Sequence, residues 1–222
     1  MMVSVEAEAP RPILRGWSHT IAIAPALAGA VALIVVARGN PAKQASLAVY
    51  GTALTGLFTV SALYHRVGWS PAWRAIWRRI DHANIFVVIA ATYTPVAVNV
   101  LDGWMRVTVL IAIWTAALAG VSLMAARIEL PRPAMVVAYV AVGWIALIIV
   151  PSLYARLGMT GVLLLFAGGL LYSLGAITYA FRRPNLWPRV FGYHEVFHLF
   201  VIAATAVFFV FIALVVVPAG HA

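Results

Sequence analysis

No cysteine occurs among the 222 residues, and only six carboxylate side chains stand against fifteen Lys and Arg. Without thiols there is no disulfide, no thiolate metal site and no cysteine lipidation, so a metal would have to be held by imidazole or carboxylate. Charged residues make up 9% of the chain, where a soluble domain carries about 25%. That shortfall excludes an ordinary water-soluble globule, because a chain of this size cannot hide so much apolar surface in its own interior. What is abundant is apolar: 64% of the residues are hydrophobic and the mean hydropathy is +1.01. Lipid is the expected solvent for most side chains, and an all-α integral membrane protein the expected fold class. The net charge of +9 does not point to nucleic acid. The basic residues lie between apolar segments and form no domain of their own, which fits anionic lipid headgroups as partner.

A membrane-spanning helix needs about 20 mostly apolar residues. Seven such runs are predicted, over 17–37, 46–65, 81–101, 106–126, 134–151, 159–181 and 195–217. Together they make a seven-transmembrane helix bundle in a single domain over 17–222. Residues 1–16, with Pro10 and Pro12, are expected to form a disordered polar tail. The first run is too long for a signal-peptide core and has no convincing cleavage site, so it is kept as a helix. Arg11, Arg15, Arg66, Arg74, Arg78, Arg79, Arg127, Arg132, Arg182, Arg183 and Arg189 fall on the side of the N-terminus. Only Arg38, Lys43, Arg106 and Arg156 fall on the other. This bias places the N-terminus in the cytoplasm and the C-terminus outside, across the cell inner (plasma) membrane.

Ionisable groups in or near spans are costly and usually functional. They are His65 at the end of span 2, Asp81 and His82 at the start of span 3, and His194, Glu195 and His198 entering span 7. All lie at cytoplasmic ends, although lysines and arginines alone set the orientation. "HEVFH" has the spelling of the zinc-protease signature H-E-x-x-H, and His194 and His198 share a helical face. A catalytic zinc takes three protein ligands and a water, so a third ligand must come from another helix at that depth. His65 is the best placed. Ser61, one turn earlier on the same face, can hold a water or a substrate polar group. Asp81 can orient or deprotonate a metal-bound water. His82 points about 100° away from Asp81 around the helix and reads as a packing or interfacial residue. His19 and His221 read as ordinary polar residues.

A protease would need a further ligand, typically an aspartate in a Leu-Asp-Gly context. "LDG" occurs at Leu101 to Gly103, but Asp102 falls on the opposite membrane face, roughly 30 Å of hydrocarbon away. The protease reading therefore fails. Haem held by His65 and a span-7 histidine would give a coloured protein.

The connection "RVGWSPAWRAIWRRI" (66–80) offers Ser70 as a helix cap and Pro71 at the first helical position. Trp69, Trp73 and Trp77 recur every four residues beside Arg74, Arg78 and Arg79, the pattern of a headgroup anchor. If that helix runs into span 3, Asp81 is carried below the headgroups. Tyr93-Thr94-Pro95 is expected to bend span 3.

"SALYH" (Ser61 to His65), "RIDHANIFVVIAATYTP" (Arg79 to Pro95) and "GYHEVFHLF" (Gly192 to Phe200) resemble the three signatures of the hemolysin III family. This is the bacterial branch of the progestin and adipoQ receptor superfamily, which includes the adiponectin receptors. The resemblance implies a zinc near the cytoplasmic face held by His65, His194 and His198, with Asp81 and Ser61 in support. It also implies three functions in competition. One is a zinc-dependent hydrolase of lipid amides or esters, like a ceramidase, serving membrane lipid homeostasis. Another is a receptor or sensor with a structural zinc. The third is a cytolysin, against which no span shows the polar stripe of a water-filled channel.

Overall fold

The computed structural model describes residues 12–128 and 130–219. The described residues are helical and contain no strand: α1 (Trp17–Val36), α2 (Pro41–Arg66), α3 (Pro71–Val100), α4 (Gly103–Ala125), α5 (Arg132–Gly143), a 3-10 segment (Trp144–Ile149), α6 (Val150–Phe181) and α7 (Tyr193–Phe211). A π turn (Ile212–Val216) and α8 (Val217–Ala219) extend α7. Among the described residues, six helical stretches are long and apolar enough to cross a membrane, so the chain is a multi-pass membrane protein.

One of the six is the stretch Arg132–Phe181, 50 residues long. As a straight helix it would measure about 75 Å, far more than a bilayer core of about 30 Å. It is not straight. Gly158 breaks it with φ 65° and ψ −167°, a conformation open to glycine and strained for other residues. Trp144 Nε1 then donates to Ser173 Oγ at 3.0 Å across the break, which places the two limbs side by side. The chain folds back on itself at this glycine.

α1 packs on α2, α2 on α3, α3 on α4, α5 on α6 and α6 on α7, while α7 returns against α1 and α5 reaches α3. Within its most apolar stretch, 61% of α3 is buried against 28% for α1 and α4, so α3 is the central helix. Leu47, Tyr50, Ala90, Ala97, Ile113 and Phe211 fill the interior, while Ile21, Val36, Leu163 and Leu170 point outward. Lipid is as apolar as leucine, so close packing rather than burial from water must hold such helices together.

The helix starts follow their local chemistry. Asn40 caps α2 by accepting from Lys43 N at 3.0 Å, with Pro41 at the first position. Pro71 opens α3 ten residues before Asp81, and Ser70 is its N-cap residue without a side-chain cap bond. Of the three tryptophans, Trp73 is 56% exposed, whereas Trp69 stacks on Trp77 at 5.0 Å and donates to Leu63 O at 2.9 Å, closing α2. Pro95 lies inside α3. Beside it Tyr93 Oη donates to Gly143 O at 2.6 Å and Trp114 Nε1 to Thr94 Oγ1 at 3.2 Å, tying α3 to α5 and α4.

Of the tail expected over 1–16, residues 1–11, with Arg11, lie outside the described residues, as does His221. Residues 12–16 form turns in which Ile13 N donates to Arg189 O at 3.1 Å and Leu14 N to Val190 O at 3.2 Å. Gly16 has φ 81°, and a Cβ there would stand 2.7 Å from His65 Cβ. The segment thus passes directly over the end of α2.

Candidate metal centre

The last turn of α2 and the first two turns of α7 meet beside the early part of α3. Their ring nitrogens converge: one from each of His65, His194 and His198 lies within 4.8 Å of the others. His194 Nε2 and His65 Nε2 are 3.1 Å apart. The His198 ring lies 4.5 Å from that of His194 and 5.2 Å from that of His65. Two nitrogens bound to one tetrahedral zinc at 2.0–2.1 Å would stand ~3.3 Å apart, close to the 3.1 Å between His65 and His194. His198 is buried and its Nδ1 has no hydrogen-bond partner. Neutral imidazoles leave acceptor lone pairs facing one another, which a cation relieves. The donor set fits a divalent ion that favours imidazole.

Ser61 is buried one turn before His65. Its hydroxyl faces the Asp81 carboxyl on one side and lies 2.8 Å from His19 Nδ1 on the other. Asp81 Oδ2 is 3.9 Å from His82 Nδ1. His82 is taken up by packing: its Nδ1 is 2.7 Å from Arg78 O and its Nε2 3.4 Å from Tyr179 Oη. Ser61, Asp81, His194 and His198 line one end of a cavity of about 180 Å³. Its remaining wall is mainly apolar, with Ile85, Val88, Leu165 and Val201 among its residues. From Asp81 to Val96, both in that wall, α3 runs about 22 Å.

The glutamate of "HEVFH" has structural work. Glu195 Oε2 accepts from Gly192 N at 2.8 Å, the reciprocal half of a helix cap. Glu195 Oε1 accepts from Arg15 Nε in a salt bridge. Both oxygens are thus engaged with groups that fix the start of α7. Asp102 sits past the far end of α3, pairing with Arg106 at 3.3 Å and with Arg156. About 30 Å of helix separates it from Asp81.

His19 is more than the ordinary polar residue expected from the sequence. It is 3% exposed, bonds Ser61, and lies flat on His198 with ring centroids 3.8 Å apart and planes within 5°. A lone histidine on an apolar helix carries no spacing signal. Only the packing of α1 against α2 and α7 brings it to the site.

Comparison with known proteins identifies the family. A family model described as Haemolysin-III related matches residues 7–209. The chain is 31% identical over 199 residues to a protein of Bacillus subtilis (strain 168) named "Hemolysin-3 homolog", covering 89% of this chain and 90% of that one. It is 32% identical over 216 residues to "Hemolysin-3" of Bacillus cereus, covering 96% and 94%. It is also 28% identical over 196 residues to the Homo sapiens "Monocyte to macrophage differentiation factor", covering 86% and 78%. The three signatures, the multi-pass helical fold and these matches together establish that the chain belongs to the hemolysin III family, within the progestin and adipoQ receptor superfamily.

Proposed function

We propose that this protein is a zinc-dependent hydrolase of acyl-lipid amide or ester bonds, resident in the cell inner (plasma) membrane and serving lipid homeostasis. The observation that carries the proposal is that three imidazoles converge beside Asp81 and Ser61 at the polar end of a largely apolar cavity. Structural zinc sites are closed by four protein ligands, whereas catalytic ones keep a position open. Among the described residues the cluster holds three, and two of them line the cavity. That distinction favours catalysis over a purely structural zinc in a sensor.

His65, His194 and His198 would hold the ion, which when bound supplies a Lewis acid to polarise a carbonyl and acidify water. The protein's own groups do the rest. The Asp81 carboxylate accepts a proton from the attacking water, and the Ser61 hydroxyl holds that carboxylate in place. As the carbon–nitrogen or carbon–oxygen bond breaks, the proton passes to the leaving amine or alcohol. The apolar wall receives the acyl chain, and arginines at this end of the helices meet anionic headgroups.

The proposal includes seven spans, counting the limbs on either side of Gly158 separately, with the N-terminus cytoplasmic and the C-terminus outside. A phosphatase fused to the C-terminus should be active, and a fluorescent protein there dark. The reverse result would remove this orientation. For the chemistry, metal-replete protein should release fatty acid from a ceramide-like or other acyl lipid, and Asp81→Asn should keep the metal and lose turnover. Release that persists equally in Asp81→Asn and His198→Ala would mark a contaminant and end the case for catalysis.

A further inference from the structure

We infer that His19 is a positioning residue of the metal centre, orienting the His198 ring through its face and the Ser61 hydroxyl through Nδ1. This rests on the metal reading above but concerns a residue outside the three-imidazole cluster. α1 has 28% of its most apolar stretch buried, yet His19 is 3% exposed. Placing an imidazole so deep on an apolar helix is costly; Nδ1 is used by Ser61, and Nε2 has no hydrogen-bond partner. Phenylalanine would fill the space without that cost.

The contacts of His19 are specific. One face stacks on His198, a member of the cluster, at 3.8 Å and within 5° of parallel. Phe58 meets the ring edge-on at 5.1 Å and 63°, fixing its tilt. Nδ1 lies 2.8 Å from Ser61 Oγ, and Ser61 faces Asp81 in the wall of the same cavity. One side chain therefore touches both the ligand set and the carboxylate's support. A flat ring pressed on His198 restricts rotation about that ligand's χ2, whose wells are otherwise broad. Supporting contacts of this kind tune metal sites as strongly as many ligands do.

The test is a cobalt titration of metal-free, detergent-purified protein, followed by visible absorption, which reports coordination geometry independently of turnover. His19→Ala removes both contacts and should weaken cobalt binding ~10–100-fold with a changed band shape. His19→Phe keeps a ring on His198 and should recover most of the affinity, while the bands stay displaced because Ser61 is released. His19→Asn offers an amide near the Nδ1 position and should hold Ser61 while leaving affinity low. Should His19→Ala fail to fold, the Phe and Asn variants, closer in volume, carry the test. Wild-type affinity and spectrum in every folded variant, even with lowered thermal stability, would reduce His19 to a space-filler and overturn the inference. Failure of the wild-type protein to take up cobalt would instead overturn the metal reading itself, and this inference with it.

Discussion

At one end of the bundle Asp102 is 47% exposed and meets two arginines that are themselves 36% and 41% exposed. At the other, Asp81 is 16% exposed and meets Ser61 and His82, facing a cavity that His194 and His198 also line. The side chain is the same in both places. Where water reaches it, the carboxylate belongs to a solvated ion-pair cluster whose energetic worth is small. Where water is scarce, it must be held by hydroxyl and imidazole groups, and it faces whatever enters the cavity. Surroundings decide which of two aspartates can do chemistry. Neither its proximity to a motif nor its residue type does.

The largest expected effect comes from the ligands themselves. His65→Ala or His198→Ala should each reduce zinc content from about one ion per chain to near background, with a large fall in melting temperature. Elemental analysis of purified protein checks this, and unchanged zinc in His65→Ala would move the third ligand elsewhere. Next comes the comparison proper. Asp81→Asn should lower lipid hydrolysis by roughly 10²–10⁴-fold, the usual reach of acid–base catalysis, while Asp102→Asn leaves it unchanged. Equal losses in both would mean that the two ends do not differ as described.

A smaller effect is expected at Glu195, where a protease would have its base. Glu195→Ala removes the partner of Arg15 and of Gly192 N, and should cost about 1.5–3 kcal/mol of stability. At saturating metal, the folded fraction should keep its turnover. Loss of turnover without loss of stability would restore a catalytic role to that glutamate. Smallest of all, Asp102→Asn should change stability by less than about 0.5 kcal/mol once solvent screening is allowed for, as thermal unfolding in detergent would show.

Much of this was legible before any coordinates. Apolar runs of membrane length announce helices, and the gap between residues 151 and 159 marked the break now seen at Gly158. The i, i+4 spacing of His194 and His198 announces a shared face, and Ser70-Pro71 correctly opened a helix that carries Asp81 inward. Two residues were not legible. Glu195 owes its role to Arg15, 180 positions away in sequence, and the letters alone made it look like a protease base. His19 owes its role to two helices it merely leans on. Local spacing encodes which face of a helix a side chain occupies. Which other helix that face will meet is settled by packing along the whole chain.

The contact between Arg15 and Glu195, together with the backbone pairing of Ile13 and Leu14 to the segment before α7, has a consequence for biosynthesis. A chain threaded into the bilayer from its N-terminus presents His65 early and His194 last. Until the final helix is released from the translocation machinery, neither His194 and His198, two of the three imidazoles, nor the carboxylate that anchors the N-terminal segment exists in the membrane. On the function proposed above, metal capture would be a late event, one that reports completed synthesis. A chain arrested before α7 would be inserted, helical and empty.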